Sequence, residues 1–260
     1  MNKQHCMHFS MFPMGMKVLY TGTLVVLGIG YLFAMIHIFA SHAGRDGNPA
    51  LSVNDLIIAY SGSKSDTRLE AALKGPMANM LPSAEKAEII AWIRRGAKHE
   101  EFDVKVPGQT GPTVSSIIEK RCLICHNGSN PHIPNFKEYE NLQHVVELDT
   151  GMDIFTLVRV SHIHLFGITF IFFIVSSIFC HAYIKPLWLK CVIIIIPFIA
   201  IIMDIGSWYL TKLFPPFAWV VMGSGALMGA AFATQWIISM YQMWFYTLPQ
   251  EIQDKGGIVS

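Results

Sequence analysis

The chain has 260 residues, of which 52% are hydrophobic and only 14% are charged, and its mean hydropathy is +0.42. This composition is too apolar for an ordinary soluble protein. Nineteen basic and eighteen acidic residues leave a net charge of +1, which excludes a broad basic surface, so we expect no nucleic-acid partner.

The first predicted element is an apolar helix over residues 18–40. It is long enough to cross a lipid bilayer, which takes roughly 20 residues of helix. The apolar run also exceeds the core of a cleaved signal peptide, which is usually about 7–15 residues. We therefore expect a retained membrane anchor.

Residues 41–160 are polar and have the composition of short helices joined by turns. In "LSVNDLIIAY", Ser52 is a predicted N-cap, and Asp55 lies in the first turn. Further helices are predicted in "SDTRLEAALKG" and in "PSAEKAEIIAWIRRGA", each of which ends at a glycine. Two more flank the cysteines, in "TVSSIIEKR" and "FKEYENLQHVVE". Strand signals are sparse.

Three more apolar runs follow, at 161–183, 189–210 and 217–245. Pro197 predicts a kink in the run at 189–210. The pattern Gly225-x-x-x-Gly229 predicts a close helix-packing face in the run at 217–245. The predicted fold class is an all-α membrane protein with four transmembrane helices. Its domains are the segment 1–40, a mostly helical exported domain at 41–160, and a three-helix membrane domain at 161–260.

The orientation of the chain follows from its basic residues. Lys3 and Lys17 precede the first span, and Lys185 and Lys190 lie in the turn between the second and third. Because lysine and arginine favour the cytoplasmic side, residues 41–160 are predicted to lie outside and the C-terminus inside. We expect a multi-pass protein of the bacterial inner membrane with a periplasmic domain.

The segment "EKRCLICHNG" contains a C-x-x-C-H motif at Cys122, Cys125 and His126, which is typical of covalent haem c attachment. Two thiols three residues apart on a helical turn can reach the two vinyl groups of the porphyrin. The next residue then places an imidazole over the iron. The motif therefore predicts one covalent haem c with His126 as the proximal iron ligand.

Other uses of the motif are less well supported. A zinc site needs a second pair of ligands, and the exported domain offers no other cysteine and only His132 nearby. A thioredoxin-like pair needs a parallel sheet, which is not predicted. The other cysteines, Cys6, Cys180 and Cys191, fall on the predicted cytoplasmic side, so the two thiols of the motif are the only exported ones.

At this point the sequence resembles a known family. "IIEKRCLICHNG" is similar to the haem-binding segment of monohaem cytochromes c, and "MLPSAEKAEIIAWIRRGA" resembles a methionine-ligand segment of bacterial cytochrome c domains. This resemblance implies Met80 as the distal iron ligand, with Met77 close by. The order of the two segments is reversed relative to the family, so a permuted arrangement is implied. His144 and Met152 are competing distal ligands.

Ionisable residues also occur in or beside the predicted spans. His162 and His164 lie where the chain re-enters the membrane, His37 lies near the outer end of the first span, and Asp204 lies in the third. Such residues are costly in a bilayer and often mark a function. One interpretation is a haem b or a quinol site formed by these four residues, and the other is a set of polar contacts between helices.

The sequence favours one-electron transfer by a membrane-bound cytochrome c subunit of a respiratory or oxidase-type complex. Its expected partners are other membrane subunits of a redox complex, a soluble or membrane-bound electron donor and acceptor, and the lipid bilayer. Whether the chain is itself an enzyme is left open. The alternative is a small quinol-oxidising cytochrome, and a third hypothesis is an assembly factor with a structural haem.

Overall fold

The computed structural model describes residues 7–105, 111–131, 133–254 and 256–259, so Cys6 and His132 lie outside the described residues. Within these ranges the chain is helical and forms no β-strand, with only two isolated bridges, Met7 to Ile258 and Thr67 to Leu148. It divides into two compact units. One comprises residues 1–40 and 153–260, and the other comprises residues 41–152.

In chain order, the α-helices are α1 (Met14–His42), α2 (Val53–Ser61), α3 (Arg68–Lys74), α4 (Ser83–Arg94), α5 (Val114–Ile117), α6 (Tyr139–Gln143), α7 (Ile154–Phe179), α8 (Leu187–Leu213), α9 (Ala218–Trp244) and α10 (Gln250–Gln253). Short 3-10 turns occur at Phe9–Met11, His99–Glu101 and Pro215–Phe217, and a π-helical turn occurs at Ile118–Cys122. Four of these helices, α1, α7, α8 and α9, are long and apolar enough to cross a membrane.

The second membrane helix starts earlier than its apolar sequence indicates. α7 begins at Ile154 rather than at 161, because the Asp153 carboxylate accepts the backbone N–H of Thr156 at 2.9 Å and caps the helix. Its first turns contain the charged Arg159, so a search for an uninterrupted apolar run places the start of the helix after this residue. The 41–152 unit is therefore shorter than the predicted domain.

α1 packs on α9 along one narrow stripe. The Trp236 indole Nε1 donates to the backbone carbonyl of Leu24 at 2.8 Å. A Cβ added to Gly28 would lie 3.1 Å from that nitrogen, so the glycine leaves room for the indole. Further along, the rings of Tyr31 and Phe232 stack at 4.6 Å. The other faces of α1 are largely exposed.

Of the two glycines predicted to form a packing face on α9, only Gly229 lies close to another helix, which is α1. A Cβ on Gly229 would lie 2.6 Å from the Tyr31 hydroxyl, whereas a Cβ on Gly225 would meet nothing within 4 Å. Close approach of α1 therefore requires the glycine at position 229 and leaves position 225 open.

Pro197 in α8 removes one backbone hydrogen bond of that helix, because proline has no N–H to donate to the carbonyl of Ile193. The fully buried Gln235 side chain of α9 replaces this donor, with its Nε2 2.9 Å from the Ile193 oxygen. Its Oε1 accepts the Ser176 hydroxyl of α7 at 2.9 Å. One side chain thus links three helices at the proline.

The segment that precedes α1 in the sequence contacts the segment that follows α9 and the turn that follows α7. The backbone N–H of His8 donates to the Gly257 carbonyl at 2.8 Å, and the His181 Nδ1 donates to the Met7 carbonyl at 2.9 Å. The imidazole of His8 is fully buried and contacts Gln242 of α9. The described residues before α1, from Met7 onward, therefore pack with described residues after α9 and form one layer.

The 41–152 unit is built around Trp92 of α4, which is fully buried. Its core combines side chains of α3, α4, α5 and α6 with Phe136. The predicted N-cap of α2 is observed as a capping box, in which Ser52 and Asp55 each accept the other's backbone N–H. Helices α3 to α6 lie within the segments predicted to be helical, and α2 extends one residue past its predicted segment, to Ser61.

Candidate haem-attachment site

The C-x-x-C-H motif begins at the end of a short helical segment. Thr113 caps α5, and α5 continues directly into the π-helical turn that ends at Cys122. The Cys122 carbonyl then accepts two backbone N–H groups, from Cys125 at 3.1 Å and from His126 at 2.8 Å. These hydrogen bonds fold the motif into a compact turn, so the two thiols and the imidazole share one local structure.

The loop after the motif fixes the imidazole of His126, which is only 7% exposed. Its Nδ1 lies 2.8 Å from the Pro134 carbonyl oxygen, and its ring stacks on Phe136 at 4.3 Å. The Phe136 N–H also donates to the His126 carbonyl at 2.9 Å. Because a carbonyl can only accept, Nδ1 carries the proton and Nε2 keeps its lone pair. Histidines that bind metals are commonly oriented in this way.

Both cysteines of the motif are free thiols. Cys122 is half-buried against the core, and Cys125 is exposed. Burial, together with the negative charge of Glu85, raises the pKa of Cys122 to about 11. A redox-active C-x-x-C pair needs a thiol with a lowered pKa, so the environment of Cys122 does not favour that alternative.

One large apolar side chain of the motif and one of the segment before α4 are strongly exposed. Ile124, between the two cysteines, is 71% exposed, and Met80 is 72% exposed. Large apolar side chains so exposed outside the membrane helices are available to be covered by a ligand. Within the described residues, no group of three or more His, Cys, Asp or Glu side chains is arranged to hold a metal ion directly.

The segment that contains Met80 is connected to the motif through an ion pair. Arg121, which immediately precedes Cys122, makes two hydrogen bonds to the Glu85 carboxylate of α4, at 3.0 and 3.1 Å. Leu81 packs on the core cluster that Cys122 also contacts. Met77 is partly buried, and its turn leads directly to Met80, whose N–H donates to the Met77 carbonyl at 3.0 Å.

The two competing ligands have other environments. His144 is exposed at the end of α6, and Met152 lines a pocket that includes none of the motif residues.

Of the ionisable membrane residues, the structure brings His164 and Asp204 near one another through Trp208. Asp204 is 7% exposed, and the Trp208 indole, one turn further along α8, interacts with it. The His164 ring contacts Trp208 edge-on at 5.3 Å, and its Nδ1 donates to the Val160 carbonyl. His37 and His162 are exposed.

Sequence reasoning missed Pro134, Phe136 and Arg121 as parts of the site. Pro134 and Phe136 lie in "SNPHIPNF", where the clustered turn residues indicate a loop. No local signal shows that this loop returns to the imidazole, because that contact depends on a tertiary hydrogen bond. The charge of Arg121 was visible, but its partner lies in another helix.

Residues 149–250 match the family model of a transmembrane helical domain. This range contains α7, α8 and α9, and it includes neither α1 nor the C-x-x-C-H motif. No curated protein and no solved structure gives a significant match. The match supports a helical membrane domain built from these three helices.

Proposed function

We propose that this protein is a membrane-bound cytochrome c that transfers one electron at a time as a subunit of a respiratory or oxidase-type complex. Cys122 and Cys125 would hold one haem c through two thioether bonds to its vinyl groups, and His126 would bind its iron. This attachment needs no oxidant. The bound group supplies the Fe(II)/Fe(III) couple.

The observation that carries this proposal is the hydrogen bond from His126 Nδ1 to the Pro134 carbonyl. In a neutral imidazole this hydrogen bond places the proton on Nδ1 and leaves Nε2 as the atom with the lone pair that can bind iron. The stacked Phe136 ring restricts rotation of the imidazole. The protein thus orients the proximal ligand before any group is bound.

Met80 is the proposed distal ligand, and Met77 is the nearest alternative. The exposed Met80 thioether is available for a ligand, and the Arg121–Glu85 pair ties the start of α4 to the cysteine turn. We place the 41–152 unit on the periplasmic side of a bacterial inner membrane. The lysine distribution and the two exported thiols support this orientation.

Covalent haem staining on a denaturing gel tests the proposal. In cells that contain a c-type maturation system, the wild-type chain should keep haem after denaturation. The double variant C122S/C125S should lose all of it, and the control C191S, at an exposed cysteine of α8, should keep it. M80A should lose the absorption band of methionine ligation while M77A retains it. A wild-type chain without covalent haem would refute the proposal.

A second candidate is a small quinol-oxidising cytochrome with a quinol or haem b site among His37, His162, His164 and Asp204. The observation that favours it is the buried Asp204 beside Trp208 and His164. Such a carboxylate could accept a proton released by a quinol. A pyridine haemochrome spectrum separates the candidates, because a b-type band beside the c-type band supports this one.

A further inference from the structure

A pocket of about 320 Å³ in the 41–152 unit is lined by none of the residues of the proposed haem site. Its size is at the lower end of the range for small-molecule sites, roughly 300–1,000 Å³. Two arginines, one aspartate and several apolar side chains line it, among them Arg45, Arg68, Asp149, Ile58, Pro76 and Met152.

Arg45 has an unsatisfied hydrogen-bond donor at this pocket. Its Nη2 donates to the Ser41 carbonyl at 3.0 Å, which fixes one end of the guanidinium. Its Nε is buried and has no hydrogen-bond partner among the described residues. A buried donor without an acceptor is unfavourable, and an anion held in the pocket beside the guanidinium would offset part of that cost.

The charge of the pocket is not balanced by the chain. Within the described ranges, neither Arg45 nor Arg68 forms an ion pair. The Asp149 carboxylate is engaged locally, because its oxygens accept the backbone N–H groups of Ser63 and Gly151, each at 3.0 Å. The residues that line the pocket therefore carry two guanidinium groups and one carboxylate, a formal excess of one positive charge.

We propose that this pocket binds a phosphate ester, with Arg45 and Arg68 holding the phosphate oxygens. Guanidinium groups recognise phosphate through paired hydrogen bonds, and two of them match its charge and its several oxygens. The volume exceeds that of a phosphate group, and Ile58, Pro76 and Met152 give the remaining space an apolar wall. The ester is a lipid headgroup or a soluble glycerol phosphate, and the proposal is independent of haem attachment.

Two probes separate these sources, both used with the full-length chain. Glycerol 3-phosphate is titrated by calorimetry into detergent-solubilised protein in phosphate-free buffer. Retention of phosphatidylglycerol over phosphatidylcholine is measured by native mass spectrometry from mixed nanodiscs. We expect one equivalent of phosphate ester to bind in at least one of these two experiments. Binding in the first arm indicates a soluble ligand, and retention in the second alone indicates a lipid.

The variants are chosen so that loss of folding is not mistaken for loss of the site. R68Q changes an exposed side chain and should weaken binding about tenfold or more, as should R45Q. The control K137Q removes one charge at an exposed position outside the pocket and should bind like the wild type. No binding in either arm, equal loss in K137Q and R68Q, or tighter binding of acetate than of phosphate overturns the proposal.

Discussion

His8 and His126 are both largely buried, and the hydrogen bonds at Nδ1 give them different tautomers. In His126, Nδ1 donates to a carbonyl, so the unprotonated Nε2 is left for a ligand. In His8, Nδ1 accepts the backbone N–H of Ser10 at 3.1 Å, so Nε2 carries the proton and donates to Gln242. The Ser10 hydroxyl also lies 3.0 Å from Nδ1, so a second proton on His8 would break the bond from the Ser10 backbone N–H and leave only this hydroxyl as an acceptor.

The layer formed by the two terminal segments should therefore loosen in acid. Burial lowers the pKa of His8 below its ordinary value of 6.5, and the charges of Lys17, Lys190 and His181 add to this, although the Gln242 hydrogen bond opposes it. Burial likewise lowers the pKa of His181. Because the folded chain lowers the pKa of His8, the neutral imidazole contributes its full stabilisation above pH 6.5. This stabilisation is lost as the pH falls from 6.5 towards the lowered pKa.

Hydrogen exchange of the segment around Phe9–Met11, followed from neutral pH to pH 5 and corrected for intrinsic rates, measures this effect. Exchange should accelerate in the wild type and in H181Q, which retains His8. In H8Q the acid-dependent increase should become smaller, because only His181 still titrates, and in H8Q/H181Q it should disappear. An unchanged pH profile in H8Q would show that another group controls the packing.

At the scale of the elements, Pro197 and Gln235 form a compensating pair on α8 and α9. In a membrane, an unsatisfied backbone carbonyl has no water to bind, so the Gln235 donor replaces the one that proline lacks. Replacing Gln235 with methionine keeps the volume but removes the donor to Ile193 and the acceptor for Ser176. We expect Q235M to destabilise the helix bundle by about 1–3 kcal/mol.

The double variant P197A/Q235M tests whether the missing donor at Ile193 causes that loss of stability. Alanine at position 197 restores an N–H to α8, so Q235M should cost less in the P197A background than in the wild type. Unfolding free energies in bicelles for the four chains give the coupling directly. Equal costs in the two backgrounds would mean that Gln235 acts through Ser176 or through packing alone.

At the scale of the whole molecule, four membrane helices exceed what an anchor for the 41–152 unit needs, since one would suffice. α1 uses one stripe for α9 and leaves many large apolar side chains exposed. We expect the chain to purify in mild detergent in a fixed ratio with at least one other membrane subunit that contains a redox cofactor. A monomer without such a partner would contradict the subunit role.

Several features were predictable from the sequence because they depend on local chemistry. The four apolar helices follow from length and hydropathy, and the Ser52–Asp55 capping box follows from spacing. The haem-attachment motif is likewise a local pattern, and the haem itself stays a prediction. The start of α7 was misplaced, because a cap at Asp153 determined it and not hydropathy.

Only the tertiary structure decided which distant groups meet. The Pro134 carbonyl selects the tautomer of His126, and Gln235 completes the backbone at Pro197. Each of these contacts joins groups that lie on different elements or loops and that only the folded chain brings together. Such partners leave no periodicity in the sequence, because a hydrogen bond is fixed by the positions of two groups and not by the spacing of residues along one helix.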